Sequence, residues 1–140
     1  METLYRKIMT VIDKVAWIKI KDKKVLFARS KDKEVFYFPG DKREGAESDI
    51  QTLTREIKEE LNVNLISNTI KYLKTFTTQA HGKKEGVLLE TKYYTSDYVG
   101  TLKPMMEIEE LAWFSSKDME RISEMGKLTL TWLKTIDLID

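Results

Sequence analysis

GDKREGAESDIQTLTREIKEELNV, residues 40–63, is the stretch whose reading decides the fold. It opens as a Gly-bearing loop after the aromatic run Val35-Phe36-Tyr37-Phe38, which reads as a strand with Phe36 and Phe38 on one face and Tyr37 on the other. It then turns helical. Ser48 is placed as an N-cap, with Gln51 at the capping-box position three residues on, and Asn62 falls where a C-cap belongs. At about 100° per residue, Ile50, Leu53, Ile57 and Leu61 form one apolar stripe. Glu56, Glu59 and Glu60 form an acidic stripe beside it, because residues three and four apart are neighbours on a helix.

Like charges so placed repel by roughly 0.2–0.5 kcal/mol a pair. They also lie toward the helix C-terminus, where the dipole disfavours anions. Arg55 and Lys58 are the cations nearby. From the spacing alone two readings stay open. One is a solvated acidic face, which is common. The other is a ligand set for a hard divalent cation such as Mg²⁺, which prefers carboxylate oxygens and would turn repulsion into binding.

Taken whole, the stretch resembles the Nudix box, G-x5-E-x7-R-E-U-x-E-E-x-G-U, where U is a bulky aliphatic residue. Glu47 takes the first glutamate position, Arg55-Glu56 the RE pair, Ile57 the first U, Glu59-Glu60 the EE pair and Val63 the last U. Both motif glycines are replaced, by Asp41 and Asn62. Asn tolerates the left-handed conformation almost as Gly does. Asp41 follows Gly40 in Pro39-Gly40-Asp41, where the family usually carries Pro-Gly-Gly. Its Cβ can crowd a tight loop, or its carboxylate can add a ligand or repel a substrate phosphate.

Outward from the box, Val15–Ile20 and Lys24–Arg29 read as a hairpin about the polar turn Lys21-Asp22-Lys23. Ser30–Glu34 is a charged turn, and the lead Met1–Lys14 is left unassigned. After the helix come strands over Ile70–Thr78 and Val87–Tyr94, joined by the polar loop Gln79–Gly86. Gly100–Pro104 reads as a turn, and the run Glu107–Phe114 ends in a short strand before the polar break Ser115-Ser116. A closing helix spans Lys127–Ile136, with Leu128, Leu130, Trp132, Leu133 and Ile136 as its apolar residues. Strands around a central helix and a closing helix describe an α+β domain. The resemblance, which extends from about Val15 to about Leu133, implies a Nudix fold: an α/β/α sandwich with a mixed, curved β-sheet between helices.

The 140 residues are most simply one domain, 1–140, with the box at about 41–63. Charged residues at 34% and hydrophobic ones at 41% are ordinary for a globular protein. A net charge of +1 argues against dedicated nucleic-acid or membrane binding. With no cysteine, disulfides and thiolate metal sites are excluded. No apolar run approaches the ~20 residues of a membrane span and the amino terminus lacks a signal-peptide core, so a cytoplasmic location is expected.

The resemblance also implies chemistry. The family hydrolyses a nucleoside diphosphate linked to another moiety, with Mg²⁺ (Mn²⁺ in its place) as cofactor. By position, Glu56, Glu59 and Glu60 would be metal ligands, joined by the Gly40 carbonyl, and the reading requires the three carboxylates to share an ion. Glu59, Arg55 and Glu47 are the catalytic candidates: Arg55 would orient Glu47 or Glu56, and Glu59 would activate water. Glu107, Glu109 and Glu110 are alternative bases. His81 has an unperturbed pKa near 6.5, but its polar loop makes it a bystander. Arg29, Phe38, Glu107 and Glu110 are candidate substrate contacts, and Lys83-Lys84 and Lys42-Arg43 are candidate phosphate contacts. Trp17, Phe36, Phe38, Tyr93 and Tyr94 could stack on a base, although aromatic strand residues are usually core. The chain's small size looks most like the MutT-like branch, which cleaves a nucleoside triphosphate to a monophosphate and pyrophosphate. Hydrolysis of ADP-ribose or nucleotide sugars, and a nucleotide-sensing module of weak activity, are the alternatives; a homodimer is left open.

Overall fold

The structure is a computed structural model and describes residues 10–80, 83 and 85–140. The described residues form nine strands, β1 (Thr10–Trp17), β2 (Ile20–Lys21), β3 (Lys24–Ser30), β4 (Gly40–Lys42), β5 (Asn64–Leu65), β6 (Lys71–Gln79), β7 (Val87–Thr95), β8 (Tyr98–Val99) and β9 (Ile108–Phe114). Two α-helices, α1 (Asp49–Leu61) and α2 (Glu124–Thr135), and two 3-10 turns, Ser67–Thr69 and Ser116–Arg121, complete the described elements. A mixed four-stranded sheet runs β4-β1-β7-β6, with β1 and β7 parallel and the outer pairs antiparallel. An antiparallel sheet runs β2-β3-β9, and β5 pairs with β8.

Alternation along the strands builds two cores. In β1, Val15 and Trp17 face one way and join Leu26 of β3 with Leu53, Ile57 and Leu61 of α1. Ala16 faces the other way and joins Phe27, Tyr93 and Phe114 with Leu130 and Leu133 of α2. Strands covered on both faces between two helices are the expected α/β/α sandwich. Each fully buried Leu or Ile of α1 contributes about 1.5–3 kcal/mol of burial against the entropy of ordering it.

The caps of α1 form as the sequence indicates. The Ser48 side chain accepts from the Gln51 amide and the Gln51 side chain accepts from the Ser48 amide. Asn62 takes the left-handed conformation at φ 64°, its N–H bonding the Lys58 carbonyl. Ile50 differs from expectation: in the first turn, it is 43% exposed, and the buried face narrows to the later turns.

Three strand assignments also change. Val35–Phe38 is not a strand, because its backbone is divided between two neighbours. Tyr37 pairs with Ala28 in both directions, whereas Phe36 pairs with Arg121 and Ser123. The residues read as the start of a loop, Gly40–Lys42, are instead strand β4 on the edge of β1. The expected hairpin is split: Ile18 donates to the Tyr94 carbonyl and Lys19 accepts from Leu26, so the chain changes sheets there. Only β2 and β3 form the hairpin, with Asp22 and Lys23 at positive φ in its turn. The described part of the amino-terminal lead, Thr10–Lys14, belongs to β1. No helix among the described residues is long and apolar enough to cross a membrane.

Replacing Ser48 by Ala removes the acceptor of the capping box and is expected to cost about 1 kcal/mol. Thermal denaturation followed by circular dichroism should show a fall in Tm of roughly 3–5 °C.

Candidate active site

The helical phase of α1 sorts its carboxylates. Glu56 and Glu60, one turn apart, lie at the margin of the buried face, at 8% and 2% exposure. Glu59 is rotated outward by about 100° from Glu60, and its side chain is 47% exposed. The acidic stripe is therefore two inner groups and one at the rim.

Arg55 organises these groups. Its Nε and Nη2 donate to the two Glu47 carboxylate oxygens at 2.8 and 2.9 Å, a bidentate contact of the strong kind. Nη1 donates to Glu56 at 2.7 Å and, more weakly, to Glu59 at 3.4 Å, and Nη2 also reaches the Lys42 carbonyl at 3.2 Å. Glu47 further accepts from the Glu44 amide and the Thr52 hydroxyl. Arg55 and these donors hold the Glu47 carboxyl down at about 2.

Glu60 has a different environment. Its carboxyl group accepts from the Gly40 amide at 3.2 Å and, in the protonated form, donates to Glu56. Burial raises its pKa well above the usual carboxylate range, and the bond with Glu56 and the charges of Glu56, Glu107 and Asp41 raise it further. Burial also raises Glu56, while its bonds to Glu60 and Arg55 oppose that shift. Gly40 makes the close approach of β4 to β1 feasible: at φ 126°, an added Cβ would collide with the Val15 carbonyl oxygen.

Glu60, Gly40 and Asp41 lie in the wall of a cavity of about 510 Å³. Phe38 and Tyr93 supply aromatic lining, and Tyr37, Thr91, Gln79 and Glu107 supply polar lining. Burial raises the Tyr37 phenol; its short bond with Ser30 opposes this, and the charges of Glu60, Glu107 and Asp41 add to it. These acidic groups thus act on one space. Asp41 fits in strand β4 without positive φ, so its Cβ does not crowd the loop. Its carboxylate meets Lys14 at 3.8 Å.

The other sequence candidates divide. Phe38 and Glu107 line the cavity. Arg29 and Glu110 are not among its lining residues; opposite each other on β3 and β9, they pair at 3.3 Å instead. Glu109 is likewise absent from the lining. Arg43 is taken up by Asp13 and Asp49 rather than left for a phosphate. Trp17 and Phe36 are core, and Tyr93, buried as well, borders the cavity from its core position. Tyr94 donates to Asp49 at 2.7 Å. His81 lies outside the described residues. The sequence reading missed Gln79, Thr91 and Met125 as lining residues, because they come from separate segments with no common spacing.

Among the described residues, no three acidic or histidine side chains already converge as a cation site. The donor chemistry nevertheless fits a divalent cation. Two buried acidic side chains already meet, and the negative charge of Asp41 and Glu107 acts on Glu60 across the cavity. Hard oxygen donors of this kind suit Mg²⁺ or Mn²⁺. For Glu59 to join, it must turn in from the rim and give up its long contact with Arg55, and exposed ion pairs contribute about 0–1 kcal/mol.

The sequence signature of the NUDIX domain matches residues 13–133. No curated protein shows a detectable match. Among solved structures, the Escherichia coli ORF135 protein is 25% identical with a TM-score of 0.70, over 94% of this chain and 96% of that one. A MutT NUDIX hydrolase from Burkholderia pseudomallei is 19% identical with a TM-score of 0.73, over 87% and 97%. A bifunctional NMN adenylyltransferase/ADP ribose pyrophosphatase from Francisella tularensis, complexed with AMP and a Mn ion, is 18% identical with a TM-score of 0.67. That match covers 96% of this chain and 45% of the larger protein.

The raised carboxyls set a pH dependence for the metal-free protein. A group whose pKa is higher folded than unfolded contributes stability at low pH that is lost as pH rises through the folded value. Glu56 and Glu60 both rise, so their contribution falls away above the ordinary carboxylate range. In EDTA, Glu60→Gln should raise Tm by several degrees at pH 7–8, and the difference from wild type should shrink toward pH 5. A differential scanning calorimetry series across that range checks it; a difference independent of pH would contradict it.

Proposed function

Because the chain belongs to the NUDIX family of pyrophosphohydrolases, we propose that it is a Mg²⁺-dependent enzyme cleaving a nucleoside triphosphate to a nucleoside monophosphate and pyrophosphate. The observation that carries this reading is the buried Glu56–Glu60 pair, with Glu60 in the wall of a cavity of about 510 Å³. Small-molecule sites commonly occupy about 300–1,000 Å³.

Glu56 and Glu60, with Glu59 and the Gly40 carbonyl, would hold the cation. Once bound, such a cation offsets phosphate charge, polarises a phosphoryl oxygen and acidifies water. Glu47 fixes Arg55, and Arg55 fixes Glu56, so Glu56 keeps its aim, while the Gly40 amide holds Glu60. Phe38 and Tyr93 give the nucleoside an apolar wall. Glu59, exposed and loosely held at the rim of α1, is the first candidate to accept the proton of the attacking water. Glu107, across the same cavity, is the second candidate for that proton. In the reaction a water oxygen bonds to phosphorus as the bridging P–O bond breaks, and the two phosphate products separate.

Purified protein with Mg²⁺ or Mn²⁺ should convert nucleoside triphosphates to monophosphate and pyrophosphate, resolved by anion-exchange chromatography. Preferential turnover of ADP-ribose or a nucleotide sugar would move the substrate assignment, and binding without product would favour a sensing module. Glu60→Gln and Glu59→Gln should each lower kcat by about 100-fold or more, since removing metal-held charge stabilisation costs several kcal/mol. Turnover that survives both substitutions would remove the metal site. Arg55→Lys should lose about 10–100-fold, because an ammonium cannot reproduce the bidentate hold on Glu47.

A further inference from the structure

Arg43 leaves β4 at the start of the loop that carries Glu47, and its guanidinium is used in three directions. Nε donates to Asp13 Oδ2 of β1 at 2.9 Å, Nη2 to Asp49 Oδ1 of α1 at 2.6 Å, and Nη1 to the Glu47 backbone carbonyl at 2.9 Å. The anchors are themselves held. Asp49 Oδ2 accepts from the Tyr94 hydroxyl of β7 at 2.7 Å, with the Lys92 ammonium 3.9 Å away. Asp13 Oδ1 is buried without a partner, so this carboxylate is compensated through Oδ2, by Arg43.

Glu47 is thereby gripped at both ends. Arg43 holds its backbone carbonyl, and Arg55 holds its carboxylate. The turn between them bends at Gly45, at φ 54° with open space around it. Its other ties run to the Glu47 carboxylate, to Arg55 or within the turn. The Glu44 amide and the Thr52 hydroxyl donate to Glu47. Arg55 meets Glu44 at 3.5 Å and the Lys42 carbonyl at 3.2 Å, and the Glu47 amide reaches the Glu44 carbonyl at 3.2 Å. Moving the Glu47 backbone would draw its carboxylate off Arg55, and Arg55 is the group that holds Glu56.

We propose that Arg43 is a positioning residue for the reaction: by tying the Glu47 carbonyl to Asp13 and Asp49, it fixes the loop so that Glu47 can hold Arg55 against Glu56. The role rests on the proposed metal site at Glu56 and Glu60. It differs from a plain structural ion pair because its effect is read at Arg55, a residue Arg43 does not contact in the bonds described.

Arg43→Lys keeps a positive charge facing Asp13 and Asp49 but loses the three-way planar fork; Arg43→Gln removes the charge as well. The first readout is the Arg55 Nε–H signal in ¹H–¹⁵N spectra of metal-free protein, identified by its loss in Arg55→Lys. In both Arg43 variants its solvent exchange should quicken about tenfold or more, while melting shows the Lys variant still folded. The second readout is Mn²⁺ binding by electron paramagnetic resonance without nucleotide, expected to weaken by about 10–100-fold as for the loss of an outer-shell support. An unchanged Arg55 signal in both variants overturns the proposal. So does a loosened Arg55 with unchanged Mn²⁺ affinity, since the tie would then not reach the site. Wild type that binds no Mn²⁺ overturns the metal reading, and the role of Arg43 falls with it; wild type that binds Mn²⁺ while the variants match it overturns the role of Arg43 alone.

Discussion

Two carboxylates buried one helical turn apart are the constraint around which this molecule is built. Charge removed from water is costly unless it is paired or neutralised by a proton or a metal. Glu60 has an amide from Gly40 and a neighbour that is itself acidic. Glu56 has one arginine. A core designed for stability alone would place aliphatic side chains here. Keeping the acids trades resting stability for a strong local demand for positive charge, a common feature of functional sites.

The surrounding structure keeps that demand directed. Leu53, Ile57 and Leu61 seat the helix on β1 and β3, which turns Glu56 and Glu60 inward and leaves Glu59 and Arg55 toward solvent. The absence of a side chain at Gly40 lets β4 lie against β1 and bring a backbone donor to Glu60. Glu47 then sets the arginine that sets Glu56. The helix and strand steps rely on backbone fixed by packing, and the loop step relies on the ties of Arg43 and Arg55 to Glu47, so few degrees of freedom remain in the site.

Much of this was legible in the sequence because it is local. Ser48, Gln51 and Asn62 mark the helix ends through their own hydrogen bonds, and the resemblance to the Nudix box implied the contacts of Arg55 with Glu47 and Glu56 that are seen. What escaped the sequence depends on distant partners. Gly40–Lys42 looks like loop because its strand is short and begins with a glycine at positive φ, and only β1 beside it makes it a strand. Val35–Phe38 has strand-like residues but divides its bonds between Ala28 and the segment at 121–123. Arg29 and Glu110 looked free until register put them face to face. Arg43 looked like a phosphate contact because its acids, Asp13 and Asp49, come from opposite sides of it in the chain.

The two-sided burial of β1 and β3 divides the labour of their side chains. The helix bearing the box rests on one set of alternating side chains, Val15, Trp17 and Leu26, whereas Phe38 and Tyr93 of the cavity belong to the opposite core with Ala16 and Phe27. Val15 belongs to both, since it packs under the helix and also borders the cavity, so a change of volume there would be felt on the two sides at once.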